Sequence, residues 1–549
     1  MTGFWVGLPD VTLDTSRAAS FGRMGIETVS DIIRVHGVGR GEHPALILGD
    51  RTLTWAELLA RSAQTAQALA AEGVGNQDHV AFLDKNGIEH FEVFYGASML
   101  NAICVDVNWR LAAPEVEYIV NDAAAKVFVV GPEFIPILDA IAPNLTTVKK
   151  IVVIGGHPNQ PGHPTYESYE EWVARQPAID PGAQSTDEDV AFQLYSSGTT
   201  GRPKGVMLTN ANFFSLLPLA KQMWELSPDA VNLVAMPLFH IGGGGWAVAG
   251  MYEGATSVIV RDLNPAALVT MIGELGITHG FVVPAVLQFM LAMPGAEEAD
   301  YSSLRVIVYG ASPISEEVLA KSVRVFGCKF WQAYGLTETT GAVVNLAPED
   351  HDVDGPNKHR LRSCGLPGPG VEVKIVDGED EQEVPTGEVG EIWIRSKQVM
   401  KGYWNMPEET AKSITADGWF KSGDAGYVDA EGYVYIHDRV KDMIVSGGEN
   451  VYPAEVENVL MAHPGVADVA VIGVPDERWG ETAKAMVVRA AGVDVTEQEL
   501  IDFCRERLAR FKCPTSVDWV DALPRNPSGK VLKKDLREPF WVGRDRKVN

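Results

Sequence analysis

The chain has 549 residues and a formal net charge of −27 at pH 7, with 46% hydrophobic and 22% charged residues. That balance belongs to folded globular chains and sets fibrous and disordered classes aside, and the length implies three or four compact units at roughly 150 residues each. An excess of 73 acidic over 46 basic residues repels a phosphate backbone, which removes nucleic acid from the expected partners.

The N-terminal "MTGFWVGLPDVTLD" has no basic segment followed by an apolar run, so no secretory leader is expected. Residues 45–190 alternate helix-like stretches ("WAELLARSAQTAQALAAEG") with short β-rich runs ("AKVFVVG", "KKIVVIGG"). That rhythm predicts α/β structure with mostly parallel sheets, and it continues through "TSVIV", "LRVIVYGAS" and the amphipathic "EEVLAKSVRVFG". The weakly polar "IGGGGWAVAGMYEGATSVIV" is glycine-rich and interrupted by Glu253, a poor membrane span. From 364 to 437, short strands punctuated by Gly, Pro and Asp predict a small β subdomain. A boundary near Lys441 then divides residues 1–440 from a C-terminal α+β domain, 441–549. The five cysteines are scattered without a C-x-x-C pair, which argues against a disulfide framework or structural zinc and fits a cytoplasmic location.

One stretch stands out, "YSSGTTGRPKGV" at 195–206. Its glycines allow sharp turns and close backbone approach, its hydroxyls donate, and Lys204 adds a cation, which suits an anion with several oxygens. A flexible surface loop is the plain alternative. A Walker P-loop is excluded: Pro203 stands where a glycine must precede the lysine, and Gly205 where Ser or Thr must follow.

This stretch resembles the phosphate-loop signature of the adenylate-forming superfamily: acyl-CoA synthetases, 4-coumarate–CoA ligases, firefly luciferase and peptide-synthetase adenylation domains. "YGLTET", "GWFKSGDAG", "DRVKDMIVSGGENVYPAEVE" and "PRNPSGKVLKKDLR" resemble its later motifs, in its order, so that the likeness spans roughly residues 30–540. The resemblance implies an ATP- and Mg²⁺-dependent acid–CoA ligase, closest to the fatty-acid–CoA ligases, with a mobile C-terminal domain. It implies ATP contacts from Ser196, Ser197, Gly198, Thr199, Thr200 and Lys204 and from Gly310, Gln332, Ala333, Tyr334 and Thr337, with Asp424 on the ribose hydroxyls and Arg439 nearby. Catalysis falls to Lys530, Glu338, Thr337 and His240, and metal binding to Thr199 and Glu338. Lys441 matches the hinge, and Ser446, Gly447 and Gly448 the coenzyme A tunnel; Val445 departs from the lysine of several relatives.

The acyl group is expected among His240, Gly242, Val282, Ala285, Ala311 and Gly341. No acid stands where amino-acid-activating relatives place one, which disfavours an amino acid substrate. A medium- or long-chain fatty acid is the expectation, with aromatic and steroid-side-chain acids as rivals. Transfer to a carrier protein is the mechanistic alternative, and a non-catalytic nucleotide-binding protein the alternative from another class. His240 reads either as a gate or as a core histidine, and the glycine run 242–245 either as pocket space or as a mobile loop. The oligomeric state, a homodimer included, stays open.

Overall fold

The computed structural model describes residues 25–155, 166–196, 202–312, 314–378, 380–439, 442–446, 449–476, 479–525 and 531–542. Two α/β sheets form its larger part. One has eight strands, with Ile103–Asp106, His79–Leu83, Val127–Val130 and Lys150–Val153 running parallel beside Val190–Ser196, and ends on the antiparallel strands Lys204–Thr209 and Gly402–Tyr403. The other has nine, with a parallel centre of Thr256–Ile259, Val231–Val234, His279–Val282, Val306–Gly310 and Lys329–Leu336.

The helices between strands form where the pattern predicts them. Trp55–Ala71 starts on a capping box, in which Thr54 Oγ1 accepts from the Glu57 amide and Glu57 accepts from the Thr54 amide at 2.8 Å. Its apolar stripe, with Trp55, Leu58, Ala66 and Leu69, is buried. One apolar core joins both sheets through Phe94, Phe192, Trp246 and Phe281. Among the described residues, no helix is long and apolar enough to cross a membrane.

The expected β subdomain is an antiparallel four-stranded sheet, Val371–Val376, Gly390–Ser396, Phe420–Val428 and Val434–Arg439. The C-terminal part is α+β: the long hairpin Val466–Asp476 and Gly480–Arg489 packs with the helices Pro453–Met461 and Glu497–Arg505. It touches the larger part where Gln288 Nε2 donates to the Ala467 carbonyl at 3.0 Å.

The glycine run departs from the mobile-loop reading. Residues Ile241–Tyr252 are a helix, and the run supplies its first turns. A Cβ on Gly243 would lie 2.1 Å from the Pro237 carbonyl oxygen, and one on Gly244 2.7 Å from that of Leu238. These two glycines let the helix seat against the backbone before it and add no space to a pocket.

Candidate active site

The site lies beyond the carboxyl ends of Val190–Ser196, Val306–Gly310 and Lys329–Leu336, where ligands collect in open parallel sheets. The strands that pair Ser196 with Lys204 bracket residues 197–201; Ser197, Gly198, Thr199 and Thr200 among them lie outside those described. Lys204 is buried. Its Nζ donates to Glu409 Oε2 at 2.7 Å and sits 4.9 Å from the centre of the Tyr403 ring. Hydrogen bonds from Lys204 and then Lys412 hold the Glu409 carboxyl down at about 2. The lysine is thus held by Glu409 and Tyr403.

The turn after Lys329–Leu336 is tight, since a Cβ on Gly335 would fall 1.7 Å from the Gly341 carbonyl oxygen. It leads into the short 3-10 helix Thr337–Thr339. There Glu338 is buried, and its Oε1 accepts from Ser196 Oγ at 2.9 Å and from the Tyr403 hydroxyl at 3.1 Å. Carboxylate and hydroxyl oxygens are hard donors, and they fit Mg²⁺ and not a soft metal.

On the other side, the Tyr334 hydroxyl donates to Asp424 Oδ2 at 2.8 Å, with both residues buried. The strand register sets Asp424 opposite Arg439. Tyr334, Asp424, Gly310, Gln332 and Ala333 line a cavity of about 290 Å³. Arg525, Val531 and Lys533 of the C-terminal part line it too. Arg525 pairs with Asp468 at 2.6 Å and Lys533 with Glu457 at 3.0 Å. Lys530, Lys441, Gly447 and Gly448 lie outside the described residues, as does the Arg439 side chain; Ser446 is buried in the strand Ile444–Ser446.

A second cavity, of about 70 Å³, adjoins the first through Ala311, Ala333 and Gly335, which line both. Ala311 takes a left-handed φ of 65°, a conformation that costs a non-glycine residue roughly 1 kcal/mol or more. The remaining wall is apolar and aromatic, with Phe213, Leu217, Trp224, Trp246 and Phe281 beside Gly242 and Gly341. Ala285 lines only the larger cavity, and Val282 is buried in its strand and lines neither.

His240 caps the helix Ile241–Tyr252, its Nδ1 accepting from the Gly242 amide at 3.0 Å. That bond leaves the ring proton on Nε2. The ring is half-buried but set against apolar walls, and desolvation lowers its pKa to about 4. It stands in the wall of the smaller cavity.

Tyr403 and Glu409 were not singled out from the sequence, although "GYWNMPEET" holds both; neither periodicity nor composition marks them. Trp224 gave no signal either.

Residues 34–404 match the AMP-binding enzyme family, and residues 455–530 match the AMP-binding enzyme C-terminal domain. The chain is 41% identical over 533 residues to a fatty acid–[acyl-carrier-protein] ligase, ScoC, of Streptomyces coeruleorubidus, covering 95% of this chain and 98% of that protein. It is 37% identical over 505 residues to a long-chain-fatty-acid–CoA ligase of Mycobacterium tuberculosis, covering 89% and 94%. Its fold is similar to the crystal structure of the anthranilate CoA ligase AuaEII in complex with anthranoyl-AMP, with a TM-score of 0.85, 30% identity, and 94% and 97% of the two chains covered. These matches establish that the chain belongs to the AMP-binding enzyme family and is an acid–thiol ligase of the adenylate-forming superfamily.

Proposed function

We propose that the protein joins a hydrophobic carboxylic acid to ATP as an acyl-adenylate and then transfers the acyl group to the thiol of coenzyme A. The observation that carries this reading is the wall of Ala311, Ala333 and Gly335 shared by the two cavities. An acid in the apolar cavity has its carboxylate at the place where a nucleotide in the larger one has its α-phosphate.

In the first step a carboxylate oxygen attacks the α-phosphorus, and the bond to the β-phosphate breaks with its electron pair leaving on pyrophosphate. In the second, the thiolate sulfur adds to the acyl carbonyl and AMP departs. The carboxylate is a weak nucleophile meeting a polyanion, so charge must be offset and the reactants held in line. Lys204 and the residues 196–200 would hold the β- and γ-phosphates. Tyr334 would stack on adenine, with Asp424 accepting from the ribose hydroxyls. Mg²⁺ held by Glu338, with Thr199, would offset negative charge on the phosphates. The neutral His240, donating through Nε2, would orient the acyl oxygen, and Lys530 would bridge carboxylate and α-phosphate.

The acyl cavity bears on the acid. At about 70 Å³ it is roughly half the ~150 Å³ that accommodates benzene in an engineered apolar cavity. It therefore suits an acyl group of a few carbons, and the medium or long chain expected from the sequence requires Trp224, Trp246 or Phe281 to give way. Transfer to a carrier protein is the second reading, favoured by the 41% identity to an acyl-carrier-protein ligase.

Pyrophosphate release with a panel of acids, followed by mass detection of the thioester, tests this. Acyl-CoA formed by purified protein with CoA alone supports the first reading. An acyl group found only on a phosphopantetheine-bearing carrier supports the second. No pyrophosphate with any acid would overturn both.

A further inference from the structure

Tyr403 touches two groups that come from distant parts of the chain. Its ring lies 4.9 Å from Lys204 Nζ, and its hydroxyl donates to Glu338 Oε1 at 3.1 Å. The residue is buried, and burial together with the Glu338 charge pushes its pKa up, so the hydroxyl keeps its proton and stays a donor. The backbone around it is pinned on three sides. The Met400 amide donates to the Glu338 carbonyl at 2.8 Å, the Trp404 amide to the Gly205 carbonyl at 2.7 Å, and the Tyr403 amide to Thr410 Oγ1 at 2.9 Å. Tyr403 is also paired with Val206, on the strand that begins at Lys204. Its hydroxyl is therefore fixed relative to Glu338.

The two carboxylate oxygens of Glu338 are not equivalent. Oε1 accepts from Ser196 Oγ at 2.9 Å as well as from Tyr403, whereas among the described residues none donates to Oε2. Each oxygen of a carboxylate offers about two lone-pair sites, so the two donors fill Oε1 and leave Oε2 open. Without them, rotation about the last side-chain bond exchanges the two oxygens at little cost. Mg²⁺ demands near-ideal geometry and takes only one or two protein carboxylates, so the aim of a single carboxylate oxygen matters.

Resting on the reading of Glu338 as a metal ligand, we propose that Tyr403 is a positioning residue: its hydroxyl, with that of Ser196, holds Glu338 Oε1 and aims Oε2 at the metal. Partners of this kind, which orient a ligand without touching the metal, are typically worth 10- to 100-fold in metal affinity.

The test is a binding measurement, by isothermal titration calorimetry of the purified full chain with α,β-methylene-ATP, whose α–β bridge is not cleaved. Each protein is titrated once in Mg²⁺ and once in EDTA, and the ratio of the two dissociation constants is the gain due to the metal. The unsubstituted protein should bind more tightly in Mg²⁺, and Glu338→Gln should lose that gain. Tyr403→Phe keeps the ring beside Lys204 and removes only the hydroxyl. It should cut the gain about tenfold, or remove it where it is smaller, and leave the dissociation constant in EDTA unchanged. Ser196→Ala strips the other donor from Oε1 and should also lower the ratio; it decides the matter if circular dichroism shows Tyr403→Phe unfolded. A gain lost in Glu338→Gln but kept in Tyr403→Phe overturns the inference and leaves the metal reading of Glu338 standing. Equal weakening in Mg²⁺ and EDTA makes Tyr403 a structural residue only and overturns it too. No gain from Mg²⁺ in the unsubstituted protein, or a gain that survives in Glu338→Gln, sinks the metal reading of Glu338 and this inference with it.

Discussion

On the proposed function, Asp424 and Tyr334 would form a nucleotide contact that is held in place before any nucleotide arrives. Tyr334 O–H donates to Oδ2, and the Ser422 Oγ lies 3.0 Å from the Asp424 amide, so the carboxylate is held in place on its strand. A carboxylate accepting from two ribose hydroxyls contributes roughly 1.5–3 kcal/mol per charge-assisted bond. Asp424→Ala is therefore expected to raise the KM for ATP at least tenfold while circular dichroism stays unchanged; unchanged kinetics in a folded variant would take Asp424 out of the site. The histidines carry a second prediction. Burial lowers His79, His240, His279 and His351 to about 4 from an ordinary 6.5. Between those two values the unfolded chain binds protons that the folded chain does not, so stability falls as pH drops from 6.5 towards 4. The loss at pH 5 is on the order of 1–2 kcal/mol per ring. Asp84 and Glu92, pushed up by burial, oppose this at the acid end. The denaturation midpoint of the larger part should fall between pH 7.5 and pH 5.5, and a midpoint that held or rose would contradict neutral buried rings.

The helix Ile241–Tyr252 separates two uses of glycine within four residues. A Cβ added at Gly243 would meet a carbonyl oxygen at 2.1 Å, so Gly243→Ala must move backbone and is expected to cost about 1–3 kcal/mol or more. Gly245 lines the acyl cavity, and an added Cβ meets only the end of the Ile241 side chain, at 3.1 Å. Gly245→Ala should keep the melting temperature within a few degrees and shift acid preference to shorter chains; the reverse ranking of the two variants would show that the run serves the pocket and not the packing. These glycines also mark where the sequence was silent. Glycine is among the poorest helix formers, so four in a row read as pocket space or a mobile loop and not as a helix. What decides the matter is the seating of the helix on residues 236–238, a tertiary contact that no local pattern carries. Strands and amphipathic helices were legible because their periodicity is local, as in Trp55–Ala71 and Val127–Val130. The partner of Lys204 was not, because Glu409 lies 205 residues away.

At the scale of the whole chain, residues of the C-terminal part line the larger cavity, and under the proposed function this constrains the two half-reactions. Arg525 and Val531 pair as a β-bridge, line the cavity and flank residues 526–530, which include Lys530. A cation delivered from there would offset the repulsion between carboxylate and α-phosphate, which peaks as they approach; loss of one such preorganised contact costs about 10²–10³ in rate. On the proposed mechanism the same lining would obstruct a thiol on its way to the acyl carbonyl, so the C-terminal part would have to rotate between the steps. The boundary proposed near Lys441 would supply the few backbone dihedrals that take up that rotation. Lys530→Ala should then lose acyl-adenylate formation yet convert supplied acyl-adenylate and CoA to thioester. Lys441→Pro should do the reverse, because proline fixes φ at about −65° and stiffens the turn. Pyrophosphate release and thioester formation, measured separately on each variant, decide it. Two variants that lost the same half-reaction would mean that one fixed arrangement of the two parts serves both steps.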